Sequence, residues 1–297
     1  MNNQQHPQAP RTLNLCTDDF GLSPGIAQGI AQLAQAGRIS AVSCITNVSG
    51  WSRDALLLPA FPRTVGMGLH LNLTEGVPLS TQLARVWPRL PSLPRLLVQT
   101  HLRLAPRQAL QREIAAQWHA FVAATGRAPD FVDGHQHVHH LPVVRDALMA
   151  VLDTLPVRPA VRSTARVLGR AHAFKRWLIA ATGGRALGRQ LVRRALPHNG
   201  ALLGVYDFHN TDYRALMQSW LGDLPPQGGL VFCHPGALSG LDAHDAIAAA
   251  RGRELAYLSS DAFVQDLANA HVVLENSWWR TAAPVSAADV SEMSRTG

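Results

Sequence analysis

The segment TLNLCTDDFGLSPGIAQGIAQLAQAG, residues 12–37, decides the fold because it joins a short apolar run to a helical pattern. Residues 12–17 are mostly strand-compatible and end at two adjacent carboxylates, Asp18 and Asp19. Ser23 stands directly before a proline, an order typical of a helix N-terminus. The segment therefore predicts a strand followed by a helix, with two acidic side chains at the turn between them.

The same alternation of strand-like and helix-like patterns continues to Glu275. The further strand candidates are Ala41–Asn47, Val65–Leu73, Phe131–Val132, Ala160–Ser163, Leu202–Tyr206, Leu230–Cys233 and Val272–Glu275. Residues 107–124 and 143–155 carry helical patterns between some of these runs. About eight such units predict a parallel α/β fold that is TIM-barrel-like, with functional side chains at the C-terminal ends of its strands.

Length and composition are those of a globular protein. With 297 residues and 47% hydrophobic content, we expect one domain over residues 11–280, a disordered tail over 1–10 and a flexible tail over 281–297. No apolar run approaches the roughly 20 residues that span a bilayer, and the first ten residues are polar, so we expect a cytoplasmic protein. The three cysteines, Cys16, Cys44 and Cys233, each lie in an apolar run, which predicts reduced, buried thiols.

Positive charge is concentrated in one part of the chain. Residues 145–194 contain 11 Lys and Arg against 2 Asp and Glu, whereas the rest of the chain has 16 against 18. Within this part, residues 170–197 show a basic amphipathic pattern that Gly183 and Gly184 interrupt, which predicts two short helices. The pattern is compatible with solvated helix faces over an apolar stripe, the commoner case, or with docking on an anionic membrane surface. Nucleic acid is not expected, because no recognition motif accompanies the charge.

A run of histidines follows the strand candidate Phe131–Val132. Residues 133–140 read DGHQHVHH, and on an extended segment Asp133, His135, His137 and His139 would share one face. Histidine is the commonest metal-ligating side chain, so this density of imidazoles predicts a metal site.

Two other strand ends carry residues that could complete such a site. His70 and Asn72 share a face near the end of an apolar strand candidate. Asp18 and Asp19 are adjacent, and their mutual repulsion favours a metal on one carboxylate and proton transfer by the other. His234, in the turn Cys233-His234-Pro235-Gly236, would lie at the same end of the barrel. Each motif alone has an ordinary structural explanation, but their combination favours a metal-dependent catalytic site.

These motifs together resemble the YdjC-type carbohydrate deacetylases, a family that includes chitooligosaccharide deacetylases and a hopanoid-associated branch. The motifs occur in the order TDDFG (17–21), GLHLNL (68–73), DGHQHVH (133–139) and CHPG (233–236). The resemblance extends from about Leu13 to Glu275. It implies a distorted (β/α) barrel, often a homodimer, that uses a divalent metal to remove the acetyl group from an N-acetylated sugar.

The resemblance also implies a role for individual residues. Asp19, His70 and His135 correspond to the metal ligands, Asp18 to the general base and His234 to the proton donor. Such a metal lowers the pKa of a water molecule toward neutrality, so that Asp18 can deprotonate it as it attacks the acetamide. Ligand preference favours zinc, cobalt, manganese or iron, whereas the resemblance often implies magnesium; we expect a zinc-like ion.

The sequence identifies the residues that contact substrate less specifically than it identifies the metal ligands. We expect His137, His139, Asn72 and Arg162 to face the substrate. The tryptophans that could provide a sugar-stacking surface are Trp51, Trp87, Trp118, Trp220, Trp278 and Trp279. The basic segment 170–197 favours an acetylated sugar on a membrane lipid, such as a hopanoid glycolipid, over a soluble chitooligosaccharide.

Three other functions use similar residues. A two-histidine, one-carboxylate site also occurs in non-haem iron oxygenases, but these have a double-stranded β fold that the α/β alternation does not predict. A metal-dependent phosphoesterase with two metals needs more carboxylates than the motifs supply. A carbohydrate- or metal-binding module would not require the adjacent Asp18 and Asp19.

Overall fold

A computed structural model describes residues 9–276. The tails expected from the sequence fall mostly outside the described residues, as do Trp278 and Trp279. None of the helices within residues 9–276 is both long and apolar enough to cross a membrane.

The described residues form an eight-stranded sheet in which every pairing between strands is parallel. The strands are β1 (Arg11–Phe20), β2 (Ala41–Cys44), β3 (Gly66–Leu71), β4 (Phe131–Gly134), β5 (Ala160–Val161), β6 (Leu202–Leu203), β7 (Gly229–Cys233) and β8 (Val272–Leu274). They follow the order β5-β4-β3-β2-β1-β7-β6, while β8 pairs with the N-terminal half of β1. Each strand lies within, or overlaps, a strand predicted from the sequence.

The barrel is distorted between β5 and β6, the two ends of the strand order, because each of these strands has only two residues. Irregular chain fills the gap between them. Leu202 donates its backbone N–H to the carbonyl of Arg166, and its own carbonyl accepts from Leu168, at 2.9 and 2.8 Å. A parallel bridge between Val167 and Leu202 completes this contact. The sheet therefore curls into the distorted (β/α) barrel that the sequence motifs imply.

Helices cover the outside of the sheet. They are α1 (Pro24–Gln35), α2 (Trp51–Asp54), α3 (Thr81–Val86), α4 (Leu93–His101), α5 (Arg107–Thr125), α6 (Val144–Leu152), α7 (Ala173–Ile179), α8 (Arg185–Arg193), α9 (Tyr213–Asp223), α10 (Ala248–Ser259) and α11 (Asp261–Asn269). Ser23 caps α1 by accepting from the backbone N–H of Ile26, as its position before a proline predicts. The basic segment forms α7 and α8, separated by a wide turn at Ala180–Gly184, so the prediction of two short helices is confirmed.

Alternation along the strands produces two apolar clusters. Leu13 and Leu15 of β1 face the helices, whereas Cys16 faces the inside of the barrel with residues of other strands. The inner cluster consists of Cys16, Ala41, Phe131, Ala160, Leu202, Val205, Leu230 and Phe232. Cys16, Cys44 and Cys233 are buried free thiols, as predicted. The inner cluster forms an apolar base beneath the C-terminal ends of the strands.

Candidate metal centre

A β-bulge at the end of β1 brings both adjacent carboxylates to the same side. Thr17 pairs with Val42 but Phe20 pairs with Cys44, so three steps along β1 oppose two along β2. Asp19 takes up the extra residue with a φ of 70°, in the left-handed region. Successive side chains of a regular strand point to opposite faces, whereas Asp18 and Asp19 both line one cavity. The bulge therefore brings the carboxylates of Asp18 and Asp19 to the same cavity.

Asp19, His70 and His135 converge at this point, from the ends of β1, β3 and β4. One potential ligand atom from each residue lies within 4.8 Å of the others, and all three residues are buried. His135 Nδ1 is 2.8 Å and His70 Nε2 is 3.5 Å from the same oxygen, Asp19 Oδ1. The three residues that the motifs imply as metal ligands are therefore close together in space, although 116 positions separate the first from the last.

In the metal-free protein, the opposite charges in this cluster shift one another's pKa values toward the charged forms. Burial alone would raise the pKa of Asp19, but His135 and Arg251 hold it well below its usual range. Burial alone would lower the pKa of both imidazoles, but Asp133 and Asp18 raise the pKa of His70 to about 10, and Asp19 raises that of His135 to about 9. Two protonated histidines thus neutralise the surrounding carboxylates, and a divalent cation could replace their protons.

Each member of the cluster is held by a further polar group. Asp133 Oδ1 lies 2.7 Å from His70 Nδ1, and Ser43 bridges these two residues, so the orientation of the His70 ring is fixed. Arg251 donates to Asp19 Oδ2 at 2.8 Å, and Glu75 Oε1 lies 3.1 Å from His135 Nε2. A carboxylate behind a ligating histidine is the usual arrangement in metal sites.

Asp18 is fixed by a buried arginine. The guanidinium of Arg162 donates to both carboxylate oxygens of Asp18, at 2.6 and 2.7 Å. Its Nη2 also lies 2.5 Å from Asp133 Oδ2. Arg162 therefore connects the carboxylate proposed as the base to the carboxylate that orients His70.

This position corrects the sequence-based expectation for Arg162. Its side chain is 0% exposed and lies beneath the carboxylates, where it has no surface to offer to a sugar hydroxyl. Asn72 requires a similar correction, because it is fully buried and bonds to Asn47 and to the backbone of Thr74 and Glu75. Both residues hold neighbouring groups in place through hydrogen bonds, and neither of them lines the cavity.

The histidine run does not continue the strand, contrary to the extended segment assumed from the sequence. After β4, residues His135–His140 turn tightly, and Gln136 and His137 adopt left-handed backbone angles with φ of 52° and 61°. His137 lines the cavity, with its ring edge against Phe232. His139 is instead fully buried and lies 2.9 Å from the carbonyl of Arg162, so the expectation that it faces substrate is wrong.

His234 also lines the cavity, directly after β7, the strand that pairs with β1. Burial lowers its pKa to about 4, against the opposing effect of Asp19 and Asp18, so its ring is neutral at ordinary pH. Its Nδ1 has no hydrogen-bond partner among residues 9–276. The backbone N–H of His234 donates to the buried Glu254, which also accepts from the hydroxyl of Tyr206. His234 is thus held by its backbone, while its ring is available to a ligand.

The cavity has a volume of about 670 Å³ and is lined by both polar and apolar side chains. The polar residues include Asp18, Asp19, His70, Glu75, His135 and His234. The apolar residues, here called the apolar wall of the cavity, are Leu22, Ile26, Leu93, Leu178, Ile179, Val205, Phe208, Phe232 and Ile247. A polar group of a ligand could therefore bind at the cluster while an apolar part packs against the apolar wall.

Several residues of the site were missed by sequence reasoning. Ser43, Glu75 and Arg251 lie outside the recognised motifs, and no periodic pattern distinguishes them from ordinary surface or strand residues. Glu254 is likewise one of the polar positions of a helix, although the structure buries it completely. Only the fold brings these residues to the cluster.

The donor set fits a divalent metal ion. Asp19, His70 and His135 offer one carboxylate and two imidazoles, which suit zinc and other first-row metals and leave coordination positions open. A second cluster, Cys16, Asp18 and Asp133, also has close potential ligand atoms, but Arg162 already neutralises its carboxylates. Only the first cluster therefore fits.

Fold and site together define a class: (β/α)-barrel proteins with a buried two-histidine, one-carboxylate cluster at the C-terminal ends of their strands. Within that class, residues 12–269 match the sequence profile of the YdjC-like protein family, and the chain belongs to this family. The resemblance predicted from the four motifs is thereby confirmed at the level of the family. Assignment to its hopanoid-associated branch stays a prediction.

Named relatives are similar over part of their length. A chitooligosaccharide deacetylase of Proteus mirabilis is 33% identical over 152 residues, which are 48% of this chain and 56% of the relative. A carbohydrate deacetylase of Danio rerio is 32% identical over 171 residues, which are 52% of this chain and 53% of the relative. The chain thus spans about half the length of the curated relatives it matches.

Similarity to a solved structure supports the fold. A protein of Enterococcus faecalis V583, named as a candidate cellobiose-phosphate cleavage protein, superimposes with a TM-score of 0.65 over 90% of this chain and 98% of its own. The two sequences are 17% identical, so the likeness concerns the fold alone.

Proposed function

We propose that this protein is a metal-dependent carbohydrate deacetylase that removes the acetyl group from an N-acetylated sugar. The observation that carries the proposal is the convergence of Asp19, His70 and His135 beside Asp18 in one cavity. The names of the relatives from Proteus mirabilis and Danio rerio support the same activity.

In this proposal Asp19, His70 and His135 hold one divalent ion. Such an ion would supply Lewis acidity, which acidifies water and polarises an amide carbonyl. Asp18 acts as the general base toward the water that attacks the acetamide. Arg162 occupies one lone pair on each Asp18 oxygen, and a carboxylate has about four such positions, so Asp18 can still accept a proton. Arg162 is a positioning residue that aims this carboxylate.

His234, which lines the same cavity, is proposed to deliver a proton to the departing amine. Its neutral ring cannot donate at the start, because burial keeps its pKa near 4. The proton that Asp18 takes from the attacking water must therefore be passed to the amine by way of His234, once the amine nitrogen becomes basic in the course of the reaction. Glu254 keeps the backbone of His234 in place for this transfer.

The substrate we propose is an N-acetylglucosaminide, with His137 among its contacts. The apolar wall of the cavity favours a sugar that carries an apolar aglycone, and a membrane glycolipid such as an acetylglucosaminyl hopanoid is one such compound. A soluble chitooligosaccharide is the alternative. We further propose a cytoplasmic protein that contacts the membrane surface through residues 170–197 and can form a homodimer.

A zinc-like ion is the proposed cofactor, with magnesium as the alternative. Two imidazoles in a three-residue donor set favour zinc, cobalt, manganese or iron over magnesium, which prefers oxygen ligands. Reconstituting the metal-stripped protein with each ion in turn identifies the metal. Equal activity before and after stripping would end the proposal of metal dependence.

The direct test is an acetate-release assay across soluble and lipid-linked N-acetylglucosaminides. We expect release by the wild-type protein and a loss of at least about 100-fold in kcat in Asp18→Asn, since general-base catalysis contributes about 10²–10⁴-fold. His135→Ala should lose activity together with bound metal. Release of phosphate from model esters, or turnover that requires oxygen and 2-oxoglutarate, without release of acetate, would replace this proposal by a phosphoesterase or an oxygenase.

A further inference from the structure

Helix α7, Ala173–Ile179, has an unusual composition for a surface helix. None of its residues is buried, yet it contains Phe174, Trp177 and Leu178, which are 73%, 53% and 41% exposed. The spacing i, i+3, i+4 puts these three side chains on one face of the helix. The rings of Phe174 and Trp177 stack at 5.9 Å, so they form one continuous apolar surface. A contiguous exposed apolar surface, unlike a single exposed apolar side chain, is a candidate interaction site.

The other side of α7 faces the cavity. Lys175, Leu178 and Ile179 line the cavity, and Lys175 donates to the carbonyl of Tyr206 at 2.7 Å. Leu178 belongs to both surfaces, because it lines the cavity and is also exposed. The exposed apolar face of α7 is therefore continuous with the apolar wall of the cavity.

The stretch of sequence that contains α7 is strongly basic, with Asp207 the nearest acidic residue that follows it. Residues 154–206 contain ten Lys and Arg and no Asp or Glu. In α8, Arg185, Arg189 and Arg193 recur at intervals of four and are exposed, while Leu187 and Leu191 are buried against the protein. Within residues 9–276, no ion pair that the structure contains includes any of these three arginines. Their charge is thus available to an anionic partner.

We propose that α7 docks on the surface of an anionic lipid bilayer, with Phe174 and Trp177 inserted at the headgroup level and the arginines of α8 drawn to lipid phosphates. An amphipathic helix with aromatic residues on one face and a basic surrounding is suited to such an interface. Docking by α7 brings the apolar wall of the cavity next to the bilayer. This docking rests on the proposed function, because it explains how the protein would reach a lipid-linked sugar. It can nevertheless be measured without any turnover.

Flotation of the full-length, metal-loaded protein with vesicles tests the proposal. The vesicles are phosphatidylcholine alone or mixed with phosphatidylglycerol, each at low and at high salt. We expect the wild-type protein to float with the anionic vesicles at low salt. The double variant Phe174→Ser, Trp177→Ser should bind at least about tenfold more weakly, because two buried aromatic surfaces are lost. Arg185→Glu with Arg189→Glu should weaken binding to anionic vesicles and reduce its salt dependence.

A matched control and a second readout keep the test specific. Leu56→Ser removes an equally exposed apolar side chain, 78% exposed, elsewhere on the surface and should bind like the wild type. Brominated lipids should quench part of the tryptophan fluorescence of the wild-type protein. In a Trp278→Phe, Trp279→Phe background, which removes the two tryptophans outside the described residues, Trp177→Phe should bind almost normally but lose that quenching, because Trp51, Trp87, Trp118 and Trp220 are buried.

Three results would overturn the proposal. The first is no flotation of the wild-type protein with anionic vesicles at low salt, and the second is equal binding by the Phe174→Ser, Trp177→Ser variant. The third is a wild-type dimer that this variant dissociates in sedimentation analysis, which would show that a second copy of the chain covers α7. Release of acetate from a short soluble N-acetylglucosaminide should be unchanged in the variant, so failure of docking and failure of the proposed chemistry are distinguishable.

Discussion

At the scale of single residues, the site depends on charges that are buried and paired. Arg162 contacts Asp18 and Asp133, and Arg251 contacts Asp19, so each carboxylate near the candidate metal site has a partner inside the protein. A buried carboxylate that loses its partner becomes strongly destabilising. The same residues that shape the proposed chemistry are therefore needed for folding.

Replacement of Arg162 tests this dependence. Arg162→Met should lower the free energy of unfolding by about 3–5 kcal/mol, because two carboxylates lose a buried cation. Arg162→Lys should lie between this variant and the wild type, since it keeps the charge but cannot contact both Asp18 oxygens. Arg166→Met, at an exposed position nearby, should change stability by no more than about 0.5 kcal/mol. Denaturant unfolding measures all three, and equal stability of the two Arg162 variants and the wild type would contradict the account.

Metal binding should be coupled to proton release. In the metal-free protein the pKa of His70 is about 10 and that of His135 about 9, so both rings are protonated at neutral pH, while the lowered pKa of Asp19 keeps it ionised. A metal ion must displace one proton from each ring, so binding near pH 7 should release about two protons. Affinity should therefore rise with pH until about pH 9–10.

Titration calorimetry in buffers of different ionisation enthalpy counts these protons. The variant His70→Ala should release about one proton fewer and bind more weakly. A wild-type protein that binds its metal with no proton release near neutral pH would contradict the charge states given above.

At the scale of secondary-structure elements, two short departures from regularity create the site. The bulge in β1 turns Asp18 and Asp19 to one side, and the tight turn after β4 presents His135 while burying His139. Gly134 permits this turn, because a Cβ there would meet the backbone nitrogen of His139 at 2.9 Å. Both features lie at the C-terminal ends of strands, where such irregularities commonly serve function.

Gly134→Ala tests the contribution of the turn. The added methyl group must displace His139 and with it the residues next to His135, so we expect a loss of about 1–3 kcal/mol in stability and weaker metal binding. Gly200→Ala is the matched control, because nothing lies within 4 Å of a Cβ at that position. Thermal unfolding with and without metal distinguishes the two variants, and identical behaviour would show that the turn tolerates the extra atom.

The elements themselves were largely predictable, whereas the orientation of several side chains was not. Apolar runs bounded by polar residues located all of the strands, since burial on both faces makes parallel strands almost continuously apolar. The same patterns could not show that Arg162 and Asn72 lie beside the cavity but not in its lining, because both lie near the C-terminal ends of strand candidates, as His70 does. Left-handed angles at Gln136 and His137 also leave no sign in the sequence, since neither residue is glycine.

At the scale of the whole molecule, the candidate site joins distant parts of the chain. Asp19, His70 and His135 lie at the C-terminal ends of three different strands, and Arg251 and His234 come from the last third of the sequence. The four motifs could be assigned to one site from the sequence because parallel strands end at the same side of a barrel. Glu75 and Arg251 could not, because their contacts to the cluster depend on how loops and helices pack.

A metal ion at this position should stabilise the whole barrel, since it would link β1, β3 and β4. A ligand at a hundredfold excess over its Kd adds about 2.7 kcal/mol to the folded state, which corresponds to a rise of about 5–10 °C in Tm for a domain of this size. Chelation followed by zinc addition, monitored by calorimetry, measures the shift. His70→Ala, which binds zinc more weakly, should show a much smaller zinc-dependent rise; a rise equal to that of the wild type would indicate a metal site elsewhere.

The central claim is that Asp19, His70 and His135 bind one divalent ion. Anomalous diffraction at the zinc absorption edge, from crystals of zinc-reconstituted protein, tests it most directly. We predict one strong peak within about 2.0–2.2 Å of an Asp19 oxygen and one nitrogen each of His70 and His135, with Asp18 next to it but paired with Arg162. A fully active crystal form with its only peak at other residues, or with no peak, would contradict the account.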